Sequence, residues 1–213
     1  MITQTRASIA DRIEAGSYPV MEHFLSLQGE GFHQGRSAYF IRLAGCDVGC
    51  PWCDVKESWA VDDDQWVPVR DLVEAVRESG APIVIVTGGE PLTYDCGPLT
   101  EALHTLDVDV HIETSGAYDL TGDWDWVCLS PKRNALPRGS ALEAAHELKT
   151  VVFHRNDLRF AERFADKVSA SCHLYLQPEW SVRDRTMPLI VDYINVHPKW
   201  RMSMQVHKYL GVR

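Results

Sequence analysis

Three of the six cysteines fall within eight positions, spaced Cys46-x3-Cys50-x2-Cys53. Thiolates crowded into one loop are soft ligands for zinc or an iron–sulfur cluster, or in an oxidising compartment they form disulfides. A structural zinc site closes with four ligands, usually two separated pairs of Cys or His. No second Cys-x2-Cys or His pair stands elsewhere, and Cys96, Cys128 and Cys172 are isolated, as space-filling thiols commonly are. A cubic 4Fe-4S cluster normally takes four thiolates, so three leave one iron open to a ligand that is not protein. The spacing favours such a cluster over zinc with a distant fourth ligand.

The rest of the chain must position that loop. It has 213 residues, 45% of them hydrophobic, which suits one mid-sized domain with a substantial core. The formal net charge is −9, with no Lys/Arg-rich block, which argues against a nucleic-acid-binding module. No apolar run approaches the ~20 residues of a membrane span, so no membrane partner is expected. The N-terminus is polar and lacks the apolar centre of a secretory signal, which leads to a cytoplasmic expectation, where thiols stay reduced. Residues 1–19 read as an N-terminal extension, helical or loosely ordered, and residues 20–213 as a single domain.

Apolar spacing at Val69, Leu72, Val73 and Val76 marks one helix face, with Pro68 near its start and Gly80 after its end. Short apolar strands are expected at 38–45, in "PIVIVTGGEP" (82–91), and at 109–114, 126–131, 148–153, 173–178 and 201–206. Helices are expected near 98–106, 140–147, 156–166 and 188–196. Such alternation indicates a mostly parallel α/β sheet covered by helices. The glycine-containing and polar stretches all follow strands, at the carboxyl ends where parallel folds carry their sites.

The cysteine triplet, with Trp52 before its last member, and the later Thr87-Gly88-Gly89-Glu90-Pro91 together resemble the signature of the radical S-adenosylmethionine superfamily. Residues 27–31 (LQGEG), 40–50 (FIRLAGCDVGC), 113–116 (ETSG), 130–132 (SPK), 176–178 (LQP) and 201–210 (RMSMQVHKYL) further resemble the 7-carboxy-7-deazaguanine synthase family of queuosine biosynthesis. The resemblance spans residues 20–213. It implies a partial, open (β/α) barrel, reduced in helices; the chain is shorter than the ~250 residues of a complete barrel. It also implies a lyase that contracts 6-carboxy-5,6,7,8-tetrahydropterin to 7-carboxy-7-deazaguanine with loss of ammonia. A 4Fe-4S cluster and S-adenosylmethionine would generate the hydrogen-abstracting 5′-deoxyadenosyl radical, so no side chain need be the catalyst. The cofactor supplies the hard chemistry and the protein supplies position.

By resemblance the cluster ligands are Cys46, Cys50 and Cys53. Trp52, Asp54, Gly89 and Glu90 match cofactor-binding positions, as do Ser115, Ser130, Pro131 and Lys132. So do Gln177, Pro178, Glu179 and Trp180. Leu27, Gln28, Gly29, Glu30, Arg42, Thr87 and His207 match substrate-binding positions, and the terminal carboxylate of Arg213 is implied there as well. Arg42 has an independent reading, since a guanidinium in an apolar strand either pairs with a protein carboxylate or clamps a ligand's. Gly29 would permit close backbone approach, and Glu113 is expected to line the same cleft.

One position departs from the family. The residue after Cys53-Asp54, where a threonine hydroxyl helps hold Mg2+, is Val55, which has no oxygen for a hard cation. The expectation is a weakened Mg2+ requirement: either Mg2+ binds through substrate and water alone, or a cation such as the Lys56 ammonium takes over its electrostatic role. The resemblance further implies an electron donor such as flavodoxin or ferredoxin, and a homodimer.

Overall fold

The computed structural model describes residues 6–213; residues 1–5, part of the segment read as an extension, lie outside the described residues. The chain opens with α1 (Arg6–Glu14) and the long strand β1 (Ser17–Leu27), which turns back into β2 (Ser37–Leu43). After the cysteine loop come β3 (Trp66–Pro68), α2 (Val69–Ser79), β4 (Ile83–Gly88), α3 (Gly97–Leu103), β5 (Asp109–Thr114) and β6 (Trp126–Leu129). The rest comprises α4 (Gly139–Ala144), β7 (Glu147–Val152), α5 (Asn156–Ala165), β8 (His173–Pro178), α6 (Arg183–Val196), β9 (Trp200–Met202) and α7 (Val206–Leu210).

Among the described residues, nine strands form one open sheet in the order β3-β1-β2-β4-β5-β6-β7-β8-β9. Pairing is parallel from β2 to β9, and only β1 and β3 run antiparallel at the far edge. The result is a partial, open (β/α) barrel. Strand side chains alternate between its faces with a period of two. On the outer face Ile41, Leu43, Val84, Val86, Val110 and Ile112 join Leu72, Val73 and Val76 of α2 and Leu99 and Leu103 of α3 in one core. A second core joins Leu148 and Leu176 to Leu158, Ala161 and Phe164 of α5 and Ile190 of α6. Each fully buried aliphatic contributes ~1.5–3 kcal/mol, so the two cores fix the barrel wall. On the inner face the alternate residues turn polar toward the carboxyl ends, with Arg42, Thr87, Glu113, Lys149 and Gln177 all facing one cavity.

Three elements differ from the sequence reading. β1 begins at Ser17, three residues before the expected start of the domain, and both Tyr18 and Ile13 belong to the first core. α6 starts at Arg183 rather than near 188, with Pro188 inside it. Proline is most at home in the first turn, which draws a sequence reading to that point. Finally, β9 stops at Met202, and residues 206–210 form α7 instead of continuing the strand.

Candidate active site

The cysteine loop leaves the carboxyl end of β2 and is pinned from behind. Gly45 N donates to Ser58 O at 2.7 Å, Glu90 N donates to Gly45 O at 2.9 Å, and the buried Tyr94 hydroxyl donates to Ala44 O at 2.7 Å. Within the loop, Cys53 N donates to Cys50 O at 3.1 Å. All three thiols are half-buried and line a cavity of about 450 Å3. Burial pushes the Cys46 and Cys50 thiols above their ordinary range, while the Lys132 ammonium pulls Cys50 back down. Three soft thiols on one loop, opening into a cavity, fit a 4Fe-4S cluster better than a closed zinc site.

The turn after β4 is packed against this loop too closely for any side chain. A Cβ at Gly89 would lie 2.2 Å from Gly45 O, and one at Gly88, where φ is +142°, would lie 2.1 Å from Leu43 O. Glu90 follows, almost wholly buried. Its carboxylate accepts from Leu92 N at 3.1 Å, Ser115 N at 2.8 Å, and the Thr114 and Ser115 hydroxyls. This carboxylate ties the ends of β4 and β5 together beside the cluster loop. Opposite stands Lys132, whose ammonium donates to Ser130 O at 2.7 Å and lies 5.6 Å from the Trp52 ring centre. Burial lowers its pKa.

The deep end of the cavity is a polar floor. Lys149 on β7 lies 2.6 Å from Glu30 and 2.7 Å from Glu113. Gln28 Nε2 donates to Glu113 at 3.0 Å, and Gln28 Oε1 accepts from Glu30 N at 3.0 Å. Burial works against the Glu30 charge, but Lys149 holds it down to about 2. On Lys149 burial is outweighed by Cys128, Glu113, Glu30 and Glu147, which keep it protonated well above its ordinary range. At the other wall Arg42 Nε donates to Glu22 at 2.9 Å.

A family model described as the radical SAM superfamily matches residues 40–127. A 7-carboxy-7-deazaguanine synthase from Flavobacterium psychrophilum is 52% identical, with 91% of this chain and 92% of the relative covered. The Synechocystis protein of the same name is 47% identical, with 92% and 94% covered. The chain belongs to the 7-carboxy-7-deazaguanine synthase family. The crystal structure of QueE from Escherichia coli has a matching fold, with a TM-score of 0.81, 31% identity, and 96% of this chain and 100% of that chain covered.

Nearly every position that the family resemblance singles out lines the one cavity; Pro131 and Lys56 do not. Pro131 is buried behind it. Lys56 is a correction: it is exposed, with its ammonium 5.9 Å from the Trp59 ring centre, so it is no substitute for a metal in the cavity. The nearer cation is Lys208, 2.6 Å from Asp54 Oδ2. Burial opposes the Asp54 charge, but Lys208 holds its carboxyl below the usual range. At Gly29 the chain's own His207 approaches closely, since a Cβ there would lie 2.0 Å from the His207 ring. Burial lowers the pKa of that imidazole.

Glu179 is turned to its own turn, accepting from Ser181 N at 3.1 Å, and Gln177 Oε1 accepts from Ser203 Oγ at 2.7 Å. α7 crosses the cavity mouth: Val206 N donates to Gly29 O at 2.9 Å, and Tyr209 packs edge-on against Trp180. Beyond it, Ser26 Oγ donates to Arg213 O at 2.6 Å, and the Arg213 guanidinium lies 3.3 Å from Glu22. Sequence reasoning missed Lys149, Glu22 and Lys208.

Proposed function

We propose that this chain contracts 6-carboxy-5,6,7,8-tetrahydropterin to 7-carboxy-7-deazaguanine with release of ammonia, a carbon–nitrogen lyase step in queuosine biosynthesis. The observation that carries this is the joining of the three-cysteine loop and the Gly88–Glu90 turn with a polar floor and Arg42 in one cavity. Cys46, Cys50 and Cys53 would hold a 4Fe-4S cluster, which with S-adenosylmethionine supplies one-electron reduction and a carbon-centred radical. The wall formed by Trp52, Gly89, Glu90, Ser115, Ser130, Lys132 and Gln177–Trp180 would bind that cofactor. Leu27–Glu30, Arg42, Thr87 and His207 would orient the pterin, with the guanidinium matched to its carboxylate. Anaerobic reconstitution with iron and sulfide, followed by chromatography of deazaguanine and 5′-deoxyadenosine, tests the reading. Product that requires all three cysteines supports it. Deoxyadenosine without deazaguanine sinks the substrate.

Mg2+ dependence is weak in this reading, because Val55 offers no oxygen and Lys208 already places a cation on Asp54. Activity that vanishes on chelation and returns only with Mg2+ would refute this.

The electron donor is an acidic carrier such as flavodoxin or ferredoxin. Exposed Arg133, Arg155, Arg159 and Arg185 gather around the Phe153–Asp157 turn on an otherwise acidic chain. Asn134, next to Arg133, donates to Gly49 O of the cysteine loop at 3.0 Å. Charge reversal at Arg155 and Arg185 would slow flavodoxin-driven turnover and leave dithionite-driven turnover unchanged; equal rates with both reductants would remove this surface. The need for reduced thiols supports a cytoplasmic location, and among the described residues no helix is long and apolar enough to cross a membrane. The chain acts as one domain that takes in β1 from Ser17 onward, and as a homodimer on the family resemblance, which sedimentation would test.

A further inference from the structure

Lys149 is buried on β7, with 4% of its side chain exposed, and it stands between two carboxylates carried by different elements. Glu30 comes from the β1–β2 turn and Glu113 from β5, and Lys149 touches one oxygen of each. The remaining oxygens are held as well: Gln205 Nε2 donates to Glu30 Oε1 at 2.9 Å, and Gln28 Nε2 donates to Glu113 Oε1 at 3.0 Å. Cys128 on β6, Glu147 on β7, Lys132 in the loop after β6, His207 on α7 and Asp54 in the cysteine loop also face this group. Glu147 does not share the cation: it accepts from Phe32 N at 3.0 Å and from the Cys128 thiol at 3.6 Å.

We propose that Lys149 is a positioning residue for substrate, its ammonium holding Glu30 and Glu113 as an aligned pair of acceptors for the N–H edge of the pterin ring. This deepens the functional reading and rests on it. Two carboxylates in one buried site do not both stay charged without a cation between them. A 2-aminopyrimidinone edge offers N–H donors and needs acceptors opposite. Without Lys149 one carboxyl takes up a proton, and a donor then faces a donor. A neutral side chain at 149 also frees both carboxylates to leave their present alignment.

The test uses reconstituted holoenzyme without reductant, so that binding is read apart from turnover. Anaerobic equilibrium dialysis gives the Kd of 6-carboxytetrahydropterin from pH 6 to 9 for wild type, Lys149→Met and Lys149→Arg. Lys149→Met should weaken pterin binding ~tenfold or more at pH 7, the scale of a lost charge-assisted hydrogen bond. The deficit should shrink as pH rises, while the Kd of S-adenosylmethionine holds. Lys149→Arg should restore most of the affinity. Should Lys149→Met fail to fold, Lys149→Met/Glu113→Gln removes one negative charge with the cation and should bind weakly, with no recovery at high pH. A Lys149→Met profile that overlays wild type would overturn the proposal, as would equal weakening for pterin and S-adenosylmethionine. Failure of the wild type to bind the pterin would instead bring down the functional reading, and this proposal with it.

Discussion

Glu22 and Arg42 are directly opposed in the β1–β2 ladder, and Arg42 Nε donates to Glu22 Oε1 at 2.9 Å while both side chains face the cavity. A cross-strand pair of this kind fixes the guanidinium without consuming it, since Arg has five N–H donors. Arg42→Lys keeps the charge but loses the planar fork. The variant is expected to lower kcat/KM ~10–100-fold through KM, the scale of a charge-assisted hydrogen bond. Glu22→Gln, which only loosens the clamp, should cost less. Steady-state kinetics with saturating S-adenosylmethionine checks the order.

Gly29 has ordinary backbone dihedrals, so its requirement is steric: the space beside it is filled by the His207 ring. Gly29→Ala is expected to displace His207 and α7, reducing kcat ~100-fold, as a misplacement of about 1 Å can. The clash predicts non-additivity. Placed on His207→Gly, which removes both the ring and the Cβ that would lie 2.9 Å away, Gly29→Ala should cost little further. A full additional loss in the double variant would show that the glycine serves something other than the imidazole.

These two pairs show what the sequence could and could not disclose. β5 and β8 occupy the stretches their apolar runs mark, at 109–114 and 173–178. The parallel sheet follows from their alternation with α2, α3 and α5, because strands buried on both faces need long apolar runs. β1 was not legible. It mixes Pro19, Glu22 and His23 with apolar residues and includes a register shift between Val20 and Glu22, so its period is broken. The site was legible where a residue type is chemically unusual, as with the cysteines, Arg42 and Glu113. Lys149 and Glu22 were harder, since Lys149 acquires meaning only from Glu30, 119 residues away, and Glu113, 36 away, and Glu22 only from Arg42, 20 away. Lys208 shows the same limit, because its partner Asp54 is brought near only when α7 folds over the mouth.

Tyr94 predicts how the cysteine loop is kept in place. Its hydroxyl is buried, donates to Ala44 O at 2.7 Å and is pushed up to about 12 by burial, so it stays a donor across any working pH. Tyr94→Phe leaves the Ala44 carbonyl without this donor. The cost is ~1–2 kcal/mol, seen as a lower unfolding midpoint. Because Ala44 is two residues from Cys46, the reconstituted variant should also lose iron to a chelator several-fold faster. Unchanged iron loss with the lower midpoint would mean that Tyr94 supports the barrel but not the loop.

At the opposite end of the barrel, His111 on β5 is 4% exposed and packed between His33 and Trp126, with ring centres 4.6 and 6.2 Å away. Burial, then His33 and Arg36, depress its pKa to about 3, while Asp125 pulls the other way. An unfolded histidine titrates near ~6.5, so between these values the unfolded chain binds the extra proton. The neutral ring's contribution is therefore full above about pH 6.5 and shrinks as pH falls toward 3. Between pH 7 and pH 5 this amounts to about 2 kcal/mol from His111 alone. His111→Phe keeps an aromatic plug against Trp126 and removes the titration. Urea midpoints of wild type and variant should diverge on acidification, the variant losing less stability. Parallel pH dependences in the two proteins would assign the acid sensitivity to His33 or His173, which pack against the same tryptophan.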